Sequence, residues 1–181
     1  GDMENNIWKH SNGAWIRTEI WASICPGAID SAVKYAIEDA LVDHGVGEGT
    51  YAAAFVAALE SAAYFENDIE RLIDIGLSKV NKESRLHKTI ALVRKEYQEG
   101  LDFATVRNHV IELNKDIGDG WFQAPNNIAF VVIGLLYGQG DFKNSMLTAV
   151  NCGDDTDCTA ATVGSILGIL HGADNLPNDW K

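Results

Sequence analysis

Proline, cysteine and basic residues are all scarce in this chain, and each shortage narrows what it can be. The three prolines, Pro26, Pro125 and Pro177, leave long stretches free to be helical. Three cysteines, Cys25, Cys152 and Cys158, are an odd number with no regular spacing, which excludes a disulfide scaffold. There is no Cys-x-x-Cys and the five histidines are scattered, so a zinc site is not expected. Lys and Arg number 14 against 26 Asp and Glu, a formal net charge of −12. Such a chain has no basic surface for nucleic acid. No apolar run approaches the roughly 20 residues that cross a bilayer. The longest, residues 128–137, is broken by Gly134. Neither nucleic acid nor a membrane is therefore expected as a partner. The start, Gly1-Asp2-Met3-Glu4, lacks the basic and apolar regions of a secretory signal, which predicts a cytoplasmic protein.

What is present is helical periodicity almost from end to end. The 181 residues suit one domain, residues 1–181, with a substantial core. Residues 28–42 place Ile29, Ala32, Val33, Ala36, Ile37, Ala40 and Leu41 at helical spacing, which predicts one buried face. Residues 51–65 are rich in alanine. Small residues on most faces let neighbours approach closely, so this segment reads as a central helix. Further helices are predicted over residues 68–80, 84–97 (with Ser84 as cap), 103–113, 126–137, 142–150 and 159–170. The prolines and the glycine clusters (Gly45, Gly47, Gly49; Gly118, Gly120; Gly138, Gly140) fall in the connections. No stretch alternates like a strand, so the fold class is all-α.

Two connections carry candidate chemistry. In Asn151-Cys152-Gly153-Asp154-Asp155-Thr156-Asp157-Cys158, three carboxylates occur within four residues between two apolar helices. They repel one another unless something positive sits among them. A helix N-terminus supplies part of that charge, and a hard divalent cation supplies more. Simple helix capping is the competing reading, though a cap needs one carboxylate rather than three. The second connection is Asp43-His44-Gly45-Val46-Gly47-Glu48-Gly49. Its glycines permit close approach of a ligand, and the next helix can offer N–H groups to a phosphate. Alternatively, His44 ends a helix and the glycines form an ordinary turn. A polar turn, Ser11-Asn12-Gly13-Ala14-Trp15-Ile16-Arg17, and a loop with adjacent aromatics, Trp121-Phe122, complete the set. The aromatics suit either stacking on a base or a lid over the core.

Together and in this order, these segments resemble the ADP-ribosylglycohydrolase family, which includes the dinitrogenase reductase-activating glycohydrolases. Residues 11–17 are similar to the family's Gly-Asn-Gly-Ala-x-Met-Arg turn, and Asp43-His44 to its Ser/Thr-His turn before an alanine-rich helix. Gly153-Asp154-Asp155-Thr156-Asp157-Cys158 resembles its Gly-Gly-Asp-Thr-Asp-Thr, and Leu176-Pro177-Asn178-Asp179-Trp180 its closing Ile-Pro-x-x-Trp. The resemblance implies an orthogonal multi-helix bundle and hydrolysis of the glycosidic bond in an ADP-ribosylated protein or small molecule. It implies two Mg2+ ions, with Mn2+ as an alternative, held by Asp155, Asp157 and Cys158. It places His44, Asn12, Gly13, Gly47, Asp154 and Trp121 against the substrate. The chain departs from the pattern at three points. Asp154 stands for a glycine, Cys158 for a threonine, and the family's Thr-Asp-Asp ligands with their acidic catalytic residue have no counterpart. The sequence thus reads as a C-terminal portion of the domain, lacking its N-terminal helices. Such a portion is expected to be inactive alone and to meet a second copy or an N-terminal fragment. A non-catalytic ADP-ribose or nucleotide binder, or a structural member of the same family, is the alternative.

Overall fold

The computed structural model describes residues 4–118 and 122–180. Among them are nine α-helices and no strand. The helices are α1 (Glu19–Ile24), α2 (Ile29–Asp43), α3 (Glu48–Ala63), α4 (Ile69–Leu77), α5 (Arg85–Gln98), α6 (Phe103–Asn114), α7 (Ala124–Tyr137), α8 (Phe142–Asn151) and α9 (Thr156–His171). No described helix is long and apolar enough to cross a membrane.

Two helices organise the rest. Every residue of α3 except Tyr51 is buried, and every residue of α7 except Tyr137. α3 touches α1, α2, α4, α5, α7 and α9, while α7 touches α3, α4, α5, α6, α8 and α9. They reach this centrality by different means. α3 uses alanine, so its neighbours approach close to its backbone. α7 uses large apolar residues, Ile128, Phe130, Ile133 and Leu135, all fully buried. A central helix has no solvent face to mark with polar residues, and neither sequence shows one.

Side chains fix several helix starts. Asp68 accepts from Arg71 N at 3.2 Å, Ser84 from His87 N at 3.1 Å, and Asp141 from Asn144 N at 2.8 Å. Asp102 accepts from the backbone N–H groups of both Ala104 and Thr105 at 3.1 Å. Each satisfies a donor that the first turn leaves open, worth about 1 kcal/mol. Glu48, at the start of α3, does the same for α5. Its carboxylate takes Arg85 N at 2.9 Å and Leu86 N at 2.8 Å.

Several predicted boundaries move. Pro125 lies in the first turn of α7 rather than in a connection, a position where a missing N–H costs nothing. Gly49 lies inside α3, and α9 begins at Thr156 rather than Thr159. The short α1 carries no inward apolar stripe of its own. Ile16, just ahead of it, and Ile20 and Ile24 within it are exposed on one side at i, i+4, i+8 spacing.

Candidate functional site

The predicted segments converge on one cleft of about 540 Å³, lined by Trp8, Ser11, Asn12, Gly13, Ile16, Asp43, His44, Phe122 and Asp155. The N-terminal stretch forms its floor and is fastened from both sides. Asn12 N donates to Phe122 O at 3.0 Å, and Ala124 N to His10 O at 2.8 Å. On the other side, Gly49 N donates to Lys9 O at 3.0 Å and Glu48 N to His10 Nδ1 at 3.3 Å. The glycines of this connection therefore do something other than cradle a phosphate. A side chain at Gly47 would meet Lys9 O at 2.3 Å, and one at Gly49 would meet Ser11 O at 2.8 Å. They seat the N-terminal stretch on α3, whose first N–H groups it occupies.

His44 ends α2 and is 5% exposed. Its Nδ1 lies 2.7 Å from Asp43 Oδ1, and its Nε2 lies 3.1 Å from Ser11 Oγ. A carboxylate only accepts, so Nδ1 carries the proton. In the neutral ring Nε2 then accepts from the Ser11 hydroxyl. Gly13 makes room for this, because a Cβ there would sit 2.9 Å from His44 Nε2. Asp43 is in turn held by Arg17, whose Nη1 and Nη2 donate at 3.0 and 2.8 Å, while Arg17 Nε donates to Asp39 at 2.7 Å. The Arg17 guanidinium, helped by His44, holds the Asp43 carboxyl well below the usual range. Every negative charge on this flank has a positive partner.

The opposite flank is built on the turn from α8 into α9. Asp155 occupies the N-cap position of α9, yet its side chain makes no cap hydrogen bond. The same residue type at the same position of α4, α6 and α8 does cap. Instead Asp155, 9% exposed, accepts from Asn12 Nδ2 at 2.6 Å. Asn12 is itself fixed through Oδ1 by Trp15 Nε1 at 3.0 Å. Ligand atoms of Asp155, Asp157 and Cys158 all lie within 4.8 Å of one another. No described Lys or Arg pairs with Asp154, Asp155 or Asp157; the ion pairs lie elsewhere, as in Arg85–Asp116 and Arg94–Asp74. Burial and then the two neighbouring carboxylates push the Cys158 thiol up to about 12.

Asp154 has a different task. Its backbone is left-handed, at φ 60. Its carboxylate accepts from Phe122 N at 3.2 Å and Asn127 Nδ2 at 2.8 Å, and it does not line the cleft. It ties the acidic turn to the loop before α7. Asn127, fully buried, also accepts from Asp155 N at 3.3 Å. The signal for Asn127 was an amide pair, Asn126-Asn127, opening an otherwise apolar helix. Trp121 lies outside the described residues. Its neighbour Phe122 is 53% exposed and, with Trp8 at 60%, flanks the cleft.

An all-helical scaffold thus brings the buried His44, with its Asp43 and Ser11 partners, and Asp155 of the acidic turn to one cleft. The chain belongs to the ADP-ribosylglycohydrolase family, whose model matches residues 2–181. It is similar to the ADP-ribosylarginine hydrolase Tri1 of Serratia proteamaculans (strain 568), 48% identical over 40 residues. That stretch covers 22% of this chain and 11% of the Serratia protein. No solved structure matches the chain.

Proposed function

We propose that this chain carries the Asp-Thr-Asp half of a binuclear Mg2+ site that hydrolyses the glycosidic bond of ADP-ribosylated substrates. The observation that carries the proposal is Asp155. It sits where an aspartate ordinarily caps a helix, yet Asn12 turns it toward the cleft, beside two further ligand atoms and without a counter-charge. The donor set fits a divalent cation: two carboxylates offer hard oxygens, and waters or substrate oxygens complete such a shell. Asp155 and Asp157 would hold the ion, with Cys158 third. When bound, the metal supplies Lewis-acid stabilisation and orients a water.

The chain's own residues supply the rest. Asn12 holds Asp155 in place. His44 orients the Ser11 hydroxyl, whose oxygen is left as an acceptor for a ribose hydroxyl in the cleft. Trp8 and Phe122 offer apolar surface at the rim. Arg17 offsets part of the negative charge that Asp39 and Asp43 place on the His44 flank. The match to an arginine-directed hydrolase makes ADP-ribosylated arginine the first substrate to try.

Since one acidic cluster is half of a two-metal arrangement, the remaining ligands and the catalytic acid are assigned to residues outside this sequence. The exposed stripe Ile16, Ile20 and Ile24 supports that assignment as a surface for a further segment or a second copy. On this reading the 181-residue chain binds Mg2+ weakly and does not turn over alone. Calorimetric titration with Mg2+ and ADP-ribose tests it. Weak metal binding lost in Asp155→Asn, with ADP-ribose binding weakened in His44→Ala, is expected. Tight metal binding with turnover would overturn the half-site assignment. ADP-ribose binding that ignores the metal would favour a non-catalytic ADP-ribose binder instead.

A further inference from the structure

The third member of the acidic cluster is a sulfur, and its placement bears on which cation the cluster takes. Cys158 Sγ lies 3.8 Å from Asp157 Oδ2. Zinc–sulfur and zinc–oxygen bonds of ordinary length at a tetrahedral angle put the two donors about 3.6 Å apart. The pair is thus already close to the spacing of two ligands on one ion. Cys158 is half-buried and forms no disulfide. The next hydroxyl along the helix does not compete with it, because Thr159 is buried and its Oγ1 donates to Thr156 O at 3.2 Å. Thiolates select Zn2+ and similar borderline cations, whereas Mg2+ prefers an all-oxygen shell.

We infer that Cys158 makes the Asp155–Asp157 cluster a mixed carboxylate–thiolate site that prefers cations of the Zn2+ and Co2+ class to Mg2+. The inference rests on the proposal that this cluster is a metal half-site, and it concerns the half present here. Binding replaces the S–H bond by a sulfur–metal bond, and the displaced proton goes to solvent. Cys25 and Cys152 serve as internal controls, since Cys152 is buried with its thiol directed at Thr148 O at 3.4 Å.

Co2+ titration of the full chain followed by absorbance gives a readout independent of activity. A sulfur-to-cobalt charge-transfer band is expected in the wild type and in Cys25→Ala. It is expected to be lost in Cys158→Thr, which should still bind Mg2+. Competition between Zn2+ and Mg2+ should shift toward Mg2+ in the same variant. Co2+ binding without that band, and equally tight in Cys158→Thr, overturns this inference and leaves the half-site reading intact. Identical Co2+ and Mg2+ titrations for the wild type and Asp155→Asn/Asp157→Asn overturn both.

Discussion

The two flanks of the cleft carry similar chemistry under opposite electrostatic conditions. On the His44 side, Asp39 and Asp43 stand one turn apart on α2, and Arg17 answers both. On the Asp155 side, ligand atoms of Asp155 and Asp157 lie within 4.8 Å of each other and no described Lys or Arg answers them. The first flank is complete as it stands. On the second, Asn12 holds Asp155, and under the proposed function the missing positive charge is a bound cation. A helix dipole offsets part of one carboxylate, of the order of 0.3–1 kcal/mol, and leaves most of the repulsion in place.

The sharpest way to break the comparison is to remove the acids on the open flank. Asp155→Asn/Asp157→Asn should abolish any effect of divalent cations on the chain, read by calorimetry, while the fold keeps its helical circular dichroism. The matching experiment on the closed flank removes the cation. Arg17→Ala should destabilise by about 1–2 kcal/mol in chemical denaturation. That is the low end for charged hydrogen bonds, because Arg17 and Asp43 are partly exposed. Arg17→Lys should recover only part of it, since Lys cannot span both acids.

The closed flank also carries a pH signature. Asp43 has a depressed folded-state pKa, so its contribution is present above its unfolded value, about 3.9, and fades as the pH falls toward the lower folded value. Stability measured from pH 6 downward should therefore fall less steeply below about pH 4 in Arg17→Ala than in the wild type.

The smallest expected effect comes from a third acid, which belongs to neither flank. Glu60 in α3 is fully buried, and neither oxygen meets normal hydrogen-bond geometry. Burial, then the charge of Glu19, raise its pKa well above the ordinary range, with Ser165 pulling the other way. A raised acid opposes folding once the pH passes its unfolded value, about 4.3, and increasingly so up to its folded value. Glu60→Gln should flatten that slope and add about 1 kcal/mol at neutral pH.

Much of this arrangement was legible in the sequence, and the parts that were not share a cause. Periodicity located α2 to α9 because each buries a recognisable face or is apolar throughout. It missed α1, whose apolar residues Ile20 and Ile24 point outward. The order of the motifs brought Asn12, His44 and Asp155 into one reading, and all three line the cleft. The roles of the connecting residues were hidden. Gly47 and Gly49 look like ligand-facing glycines, yet the Lys9 and Ser11 backbone fills the space above them. Asp154 looks like a substrate contact, yet with a left-handed backbone its carboxylate accepts from Phe122 N and Asn127 Nδ2. Arg17 was visible as the end of a turn, but its partners lie 22 and 26 residues away on another helix. Long-range pairings of this kind leave no local pattern.

Thermal melting of the wild type and Asp155→Asn, each with EDTA and with excess Mn2+, tests the central claim most directly. If Asp155 is held against repulsion for a cation, Asp155→Asn melts higher than the wild type in EDTA, and only the wild type rises when Mn2+ is added. A lower melting temperature for Asp155→Asn in EDTA, with the Mn2+ shift unchanged, would mean that Asp155 serves the fold and not an ion.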